Sequence, residues 1–355
     1  MIQHTPDTFY TTELPGRTVE IDNREFLWCS GTSYLGMSKN PAFVERIMEG
    51  LQRVGTNWGS SRNNTLRLKV YDEAESAIAQ WMGAPAALTV SSGMLAGQIV
   101  MKWLAQTEAT YFYAPNAHPA IRGKAFFPTS ETYEKWFTAL PERIAQTSAR
   151  RIIIVTDSVG SPHTSTIPFR WIQELPTDKE IILVIDDSHG LGIFGDGKGI
   201  FSTLRPPDQV TLIGVASLNK AMGIPAGIIL GPKHLLASIR HFSMFSGSSP
   251  SSPAYLWAMV HSFDLYKSAH HKLLQNVESF TKQLGAGLAA FHWAERYPAF
   301  TTAQPGLHEF LIEQNILTAC FPYPGPHDPA ITRLVISSLH TESDLRQIAS
   351  ACLAH

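Results

Sequence analysis

Cysteine is scarce in this 355-residue sequence: three residues, Cys29, Cys320 and Cys352, stand far apart. They offer no disulfide framework and no paired metal-ligand spacing, so a zinc site is disfavoured and no metal is expected. Neither sign of charge is in excess. Lys and Arg total 28 against 30 Asp and Glu, a formal net charge of -2. That balance gives no electrostatic reason to bind nucleic acid or an anionic lipid surface. No apolar run is long enough to span a bilayer. The opening MIQHTPDTFY lacks a basic head followed by an apolar stretch. A cytoplasmic enzyme that binds neither membrane nor nucleic acid is the expectation. Internal repeats and low-complexity tracts are absent, as are a GxGxxG turn and a GxSxG elbow. GDGKG at 195–199 is neither a dinucleotide fingerprint nor a P-loop.

What is present is a core-forming chain, 44% apolar, long enough for two or three domains. Its organising stretch is 181–231. Two apolar runs rich in Ile and Val, Ile181–Ile185 and Thr211–Val215, each end in polar residues. Runs of this kind, bounded by turn residues, read as buried parallel strands. Ligands of open α/β sheets sit beyond the carboxyl ends of such strands. The first run delivers Asp186, Asp187 and His189; the second delivers Ser217 and Lys220.

Taken in order, residues 1–40 read as an N-terminal arm and lead, polar to about residue 25 and then a short strand in FLWCS. Ser38 is placed to cap a helix entering at Pro41, with Phe43, Ile47 and Leu51 on one apolar face. Leu68–Met82 reads as an amphipathic helix. Strands are expected at 86–90, 110–113 and 124–127, in RIIIVTDSVGS ending at Asp157 and Ser158, at Ile181–Ile185, in VTLIGVAS and at 226–230, with helices between several pairs. The sum is an α/β domain over 41–244: a mostly parallel seven-stranded sheet with helices on both faces. HFSMFSGSSPSSP, at 241–253, reads as a boundary loop. Residues 245–355 form a smaller α+β C-terminal domain. In it, LHEFLIE and TRLVISS are candidate strands and SDLRQIASACL a closing helix.

The residue types gathered beyond the strands have a definite chemistry. A neutral Lys220 amine can form a Schiff base with an aldehyde. A carboxylate at Asp186 can hold a pyridine nitrogen protonated, which makes the ring an electron sink. His189, three residues on, can bond a ring hydroxyl or a substrate carbonyl. His118, in NAHPA, can stack on a flat ring. The trio of lysine, carboxylate and imidazole suits pyridoxal 5'-phosphate. SSGMLAG at 91–97 joins a strand to a helix through small residues, the kind of turn whose free N–H groups hold phosphate. The hydroxyls of Ser91, Ser92 and Ser217 could add to it, and those of Ser246 and Ser248 could do so from a neighbouring chain. Each residue also has an ordinary reading: a surface lysine, a carboxylate capping the next turn, a satisfied polar histidine.

The blocks CSGTSYLGMSKNP, GSSRNN, SSGMLAG, TDSVGS, VIDDSHGLGIFG, SLNKAMG and RLVISSLHT, in that order over nearly the whole chain, resemble those of the α-oxoamine synthases. These are fold-type I pyridoxal-phosphate enzymes of the class I/II aminotransferase superfamily. The resemblance implies the type I PLP-dependent transferase fold and a homodimer with a shared active site. It implies an acyltransferase that condenses an amino acid with an acyl thioester, such as acyl-CoA, to an α-aminoketone. It makes Lys220, His189 and Asp186 catalytic. It gives cofactor contacts to Ser92, Gly93, Met94, His118, Asp157, Asp186, His189, Ser217, Lys220, Ser246 and Ser248. Asp157 and Ser158 match a block at the sheet edge whose turn continues through Gly160 and Ser161.

The departures fall on the substrate pocket. Where the family has a carboxylate-clamping arginine, this chain has Phe321, which cannot make a bidentate contact. Arg62 or Arg67 could supply the missing charge. That substitution keeps open a second reading, an aminotransferase or other pyridoxal-phosphate chemistry in a non-standard pocket. A third, a non-catalytic scaffold, would need neither Asp186 nor Lys220.

Overall fold

The structure, a computed structural model, describes residues 8–123, 126–160, 165–322 and 328–355. It divides into two compact units. One holds the chain up to Val44 together with Leu265–His355; the other is built from Glu45–Ser161 and Thr166–Asp264.

The chain starts with β1 (Thr18–Ile21), β2 (Arg24–Cys29) and α1 (Pro41–Val54). The second unit follows with α2 (Lys69–Met82), β3 (Ala86–Val90), α3 (Gly93–Leu104), β4 (Thr110–Tyr113), α4 (Tyr133–Gln146) and β5 (Arg151–Asp157). A two-residue ribbon, β6 (Val159–Gly160) with β7 (Ser165–Thr166), precedes β8 (Glu180–Asp186), β9 (Val210–Ser217) and β10 (Gly227–Gly231). Helices α5 (Lys233–His241), α6 (Ser243–Gly247) and α7 (Pro253–Val260) close the unit, and the division falls early in α8 (Phe263–Leu284).

Its six-stranded sheet has the order β3-β10-β9-β8-β5-β4. β4, β5, β8 and β9 pair in parallel, and β10 runs against both β9 and β3. Alternate residues of a strand face opposite ways. Ile153, Val155, Ile182, Val184, Ile213 and Val215 pack on α3 and α5, while Ile152, Ile154, Ile181, Leu183 and Ile185 are equally buried. Both faces are therefore covered, which is why these strands read as continuous apolar runs rather than alternating ones. α2 buries Val70, Ala74, Ile78 and Met82 at four-residue spacing. It ends where Gly83, at φ 69°, turns left-handed and donates to Gln80.

The first unit has its own five-stranded sheet, order β1-β2-β12-β13-β11, made with β11 (Ala299–Thr302), β12 (Ile316–Pro322) and β13 (Ala330–Val335). α9 (Leu307–Glu313) leads into β12, and α10 (Glu342–Ala354) opens with a capping box in which Thr341 and Asp344 satisfy each other's backbone N–H. Among the described residues no helix is long and apolar enough to cross a membrane.

Several expectations change. Six of the seven expected strands form one sheet; the seventh, at 124–127, lies partly outside the described residues, and Phe126 and Phe127 are not in a strand. Residues 8–40 do not form a separate arm: β1 and β2 join β12 in the sheet of the first unit. The second boundary lies about twenty residues beyond 245, because the serine-rich stretch is tied into the second unit. There Asn63 donates to Ser246 Oγ at 3.0 Å and Tyr71 to the Ser251 carbonyl at 2.8 Å. LHEFLIE is helix α9, with Leu307 and Leu311 buried one turn apart; a seven-residue apolar run does not distinguish the two periods. Asn40, not Ser38, caps α1 by accepting from the Phe43 N–H at 3.2 Å. Leu51 on that helix is exposed, and Gly50 instead packs on the backbone of Ala254.

Candidate active site

The candidate residues that meet at the carboxyl end of the six-stranded sheet lie in the second unit. Parallel pairing sets Asp157 opposite Asp186, and Asp186 opposite Val215. β9 then continues two residues further, to Ser217. β8 instead turns at once: the Asp187 carbonyl accepts from Gly190 N–H at 3.1 Å and Leu191 N–H at 2.9 Å, and this turn presents His189. Beyond β9 a second tight turn, closed by Gly223 N–H on the Lys220 carbonyl at 3.2 Å, presents Lys220. The two turns face each other. Lys220 Nζ lies 2.8 Å from His189 Nε2. An ammonium donating there leaves the imidazole proton on Nδ1.

The carboxyl groups sit below this pair. Asp157 and Asp186 are 8% and 4% exposed. Asp186 Oδ1 accepts from the Ser188 N–H at 2.9 Å, and Asp157 Oδ2 from the His118 N–H at 3.0 Å. Burial, and then the adjoining Asp186, push Asp157 well above the usual carboxylate range. His118 is half exposed, with Nδ1 3.6 Å from Asp186 Oδ2 and accepting from the Ala120 N–H at 3.2 Å. Burial lowers its pKa; Asp186 opposes that, while Lys220 and Arg122 add to it. Asp187 faces away from the pair. Its Oδ2 accepts from the Ile200 N–H at 2.7 Å, and burial pushes it up to about 7.

The third part is the start of α3. Ser92 caps it, its hydroxyl accepting from Leu95 N–H at 3.2 Å. A Cβ at Gly93 would stand 2.6 Å from Ser217 Cβ, and one at Gly227 would run into the Ser92 carbonyl. Only glycine lets the helix start approach β9 this closely. Gly93 and Met94, at its first two positions, leave N–H groups without an intrahelical acceptor. The approach brings the positive end of the helix dipole beside the Ser217 turn.

The structure thus brings Lys220, His189, Asp186, Asp157, His118, Ser217, Ser92, Gly93 and Met94 to one end of one sheet. Other candidates stand elsewhere or are occupied. Arg62 is a correction: it is 5% exposed and its guanidinium is held by Glu75 between Tyr71 and Phe245, so it has no face for a substrate. Arg67 is exposed, with Nε 3.4 Å from the Asn64 carbonyl. Ser246 and Ser248 hydroxyls bond within their own chain, to the Phe242 and Met244 carbonyls. Phe321 is half-buried on β12 in the first unit, opposite Ile331. Ser161 lies outside the described residues. Two groups escaped the sequence reading. Ser188 was hidden inside the Asp-Asp-Ser-His run, where acid and imidazole draw the eye. Arg122, bonded to the Ala117 carbonyl at 2.7 Å, sits in a stretch with no periodic signal.

The model of the family described as Aminotransferase class I and II matches residues 25–351. The chain is similar to an 8-amino-7-oxononanoate synthase of Nitrosomonas eutropha (strain DSM 101675 / C91 / Nm57), 27% identical over 357 residues that cover 94% of this chain and 90% of that one. Among solved structures it shares the fold of a serine palmitoyltransferase variant from S. paucimobilis with bound PLP-myriocin aldimine. There the TM-score is 0.82 at 16% identity, over 98% of this chain and 92% of that one. It also shares the fold of an 8-amino-7-oxononanoate synthase from Francisella tularensis, with TM-score 0.73 at 20% identity over 92% and 96% of the two chains.

Proposed function

The chain belongs to the aminotransferase class I and II family, and from that premise we propose that it is a pyridoxal-phosphate-dependent acyltransferase of the 8-amino-7-oxononanoate synthase kind. It would condense an amino acid with an acyl thioester to an α-aminoketone. The observation that carries this reading is the convergence of Lys220 and His189, 2.8 Å apart, above two buried carboxyl groups and beside a helix N-terminus.

The residues fit the cofactor. Asp186 would hold the ring nitrogen, His189 the ring hydroxyl and Lys220 the aldehyde carbon, with His118 stacked on the ring. The N–H groups of Gly93 and Met94 and the hydroxyls of Ser92 and Ser217 would hold the phosphate, in the gap that a side chain at Gly93 would fill. When bound, the cofactor supplies an electron sink for charge leaving the substrate α-carbon. The protein supplies the rest. Lys220 would take the α-proton with its neutral amine. His189 orients Lys220 through its Nε2. Asp157, whose pKa burial and the adjoining Asp186 raise, fixes the backbone that carries His118. With Arg62 buried against Glu75, Arg67 is the candidate guanidinium left to meet a substrate carboxylate. We also propose a homodimer, in which Ser246 and Ser248 would lie near the partner's site.

The test is thiol release from a panel of acyl-CoA thioesters, with each small amino acid, on protein loaded with pyridoxal phosphate. Release that needs both substrates supports the reading. A stable pyridoxamine form with keto acid released and no thioester required contradicts it and indicates transamination.

A further inference from the structure

The ladder between β8 and β9 ends with an exchange of partners. Asp187 donates its N–H to the Val215 carbonyl at 2.8 Å. In a parallel ladder the next bond runs from the Ser217 N–H to the Asp187 carbonyl. That carbonyl is already taken by Gly190 and Leu191, because the chain turns there to present His189. The Ser217 N–H donates instead to the Ser188 hydroxyl, at 2.8 Å. Ser188 is 7% exposed, and its own N–H donates to Asp186 Oδ1 at 2.9 Å.

We infer that Ser188 is a positioning residue, whose hydroxyl stands in for the missing ladder carbonyl and locks the strand end carrying Asp186 and His189 to the one carrying Ser217 and Lys220. The conflict it resolves is geometric. β8 must leave the sheet for His189 to face Lys220, and β9 must stay in register two residues longer to deliver Ser217 and Lys220. A backbone carbonyl cannot serve both. A short side-chain acceptor one residue into the turn can. Alanine would leave a part-buried N–H without this acceptor, and threonine would keep the oxygen. For catalysis the inference rests on the function proposed above; for the strand ends it does not.

The direct reading is hydrogen exchange in the protein without cofactor. In Ser188→Ala the Ser217 amide exchanges about tenfold faster, while Leu183 at mid-strand is unchanged, because one local bond is lost rather than the fold. In Ser188→Thr the Ser217 amide returns to within about threefold of wild type. Capture of pyridoxal phosphate at Lys220, read by mass after borohydride trapping, slows about tenfold in S188A. Unchanged Ser217 protection in S188A overturns the inference. So does equal loss at Leu183, or a folded S188T protein that exchanges like S188A. If S188T does not fold, S188A alone decides. A wild-type protein that captures no pyridoxal phosphate contradicts the proposed function instead, and the Ser217 amide still judges Ser188.

Discussion

Asp157 and Asp186 stand opposite each other at the ends of neighbouring parallel strands, both buried, and burial with the adjoining acid raises the pKa of Asp157. A carboxyl group whose pKa is raised on folding stabilises the fold below its unfolded pKa, and that contribution is lost as pH rises towards the folded value. Asp157→Asn keeps an oxygen for the His118 N–H and has no proton to lose. Relative to wild type, D157N therefore gains stability between pH 5 and pH 8. Thermal melts of the cofactor-free proteins at both pH values check this, and an unchanged difference would count against the pairing.

The contact between Lys220 and His189 carries the orienting role given to the imidazole. His189→Phe keeps a planar ring and removes both nitrogens. Its kcat is expected to fall about 100-fold, in the range of a lost acid–base or orienting group. Because His189 is half-buried at a turn, the melting temperature should move little. Full activity in H189F would remove His189 from the mechanism.

The Arg62–Glu75 pair is buried on both sides. Glu75 also accepts from the Thr89 N–H at 2.6 Å and its hydroxyl at 2.9 Å, one strand residue before the turn into α3. Glu75→Ala leaves a buried guanidinium without its anion, which costs about 3–5 kcal/mol. Urea unfolding is the check. A loss below about 1 kcal/mol would mean that water reaches the site.

His340 belongs to the first unit and is 1% exposed. Its Nδ1 accepts from the Ser337 N–H at 3.1 Å, and Nε2 lies 3.2 Å from the Trp28 carbonyl. Burial lowers its pKa to about 4. The unfolded chain, at about 6.5, therefore takes the proton first. Stability from the neutral ring is present above about pH 6.5 and is lost as pH falls towards 4. Between pH 7 and pH 5 the stability advantage of wild type over His340→Asn shrinks by roughly 2 kcal/mol. Urea midpoints at the two pH values measure it, and a constant advantage contradicts it.

The sheet was readable because its inner strands are buried on both faces, so β5, β8 and β9 appear as plain apolar runs with polar residues at their ends. The candidate site lies at those ends, where Asp186, His189 and Lys220 stand out as polar residues after apolar runs. Side-chain partners were not readable. Nothing local tells that Arg62 is taken up by Glu75, thirteen residues away on α2. Nor does the sequence show that the hydroxyl of Ser188 replaces a ladder carbonyl. The segment Leu307–Glu313 does not show itself as a helix in the sequence, because a two-turn apolar segment fits either period.

The proposed function requires that Lys220 take the cofactor. Saturating wild type and Lys220→Ala with pyridoxal phosphate, removing the excess, reducing with borohydride and mapping the adduct by mass tests it most directly. The expected result is a yellow wild type with one adduct, on Lys220, and a K220A protein with neither colour nor adduct. A colourless wild type, or an adduct on another lysine, would contradict it.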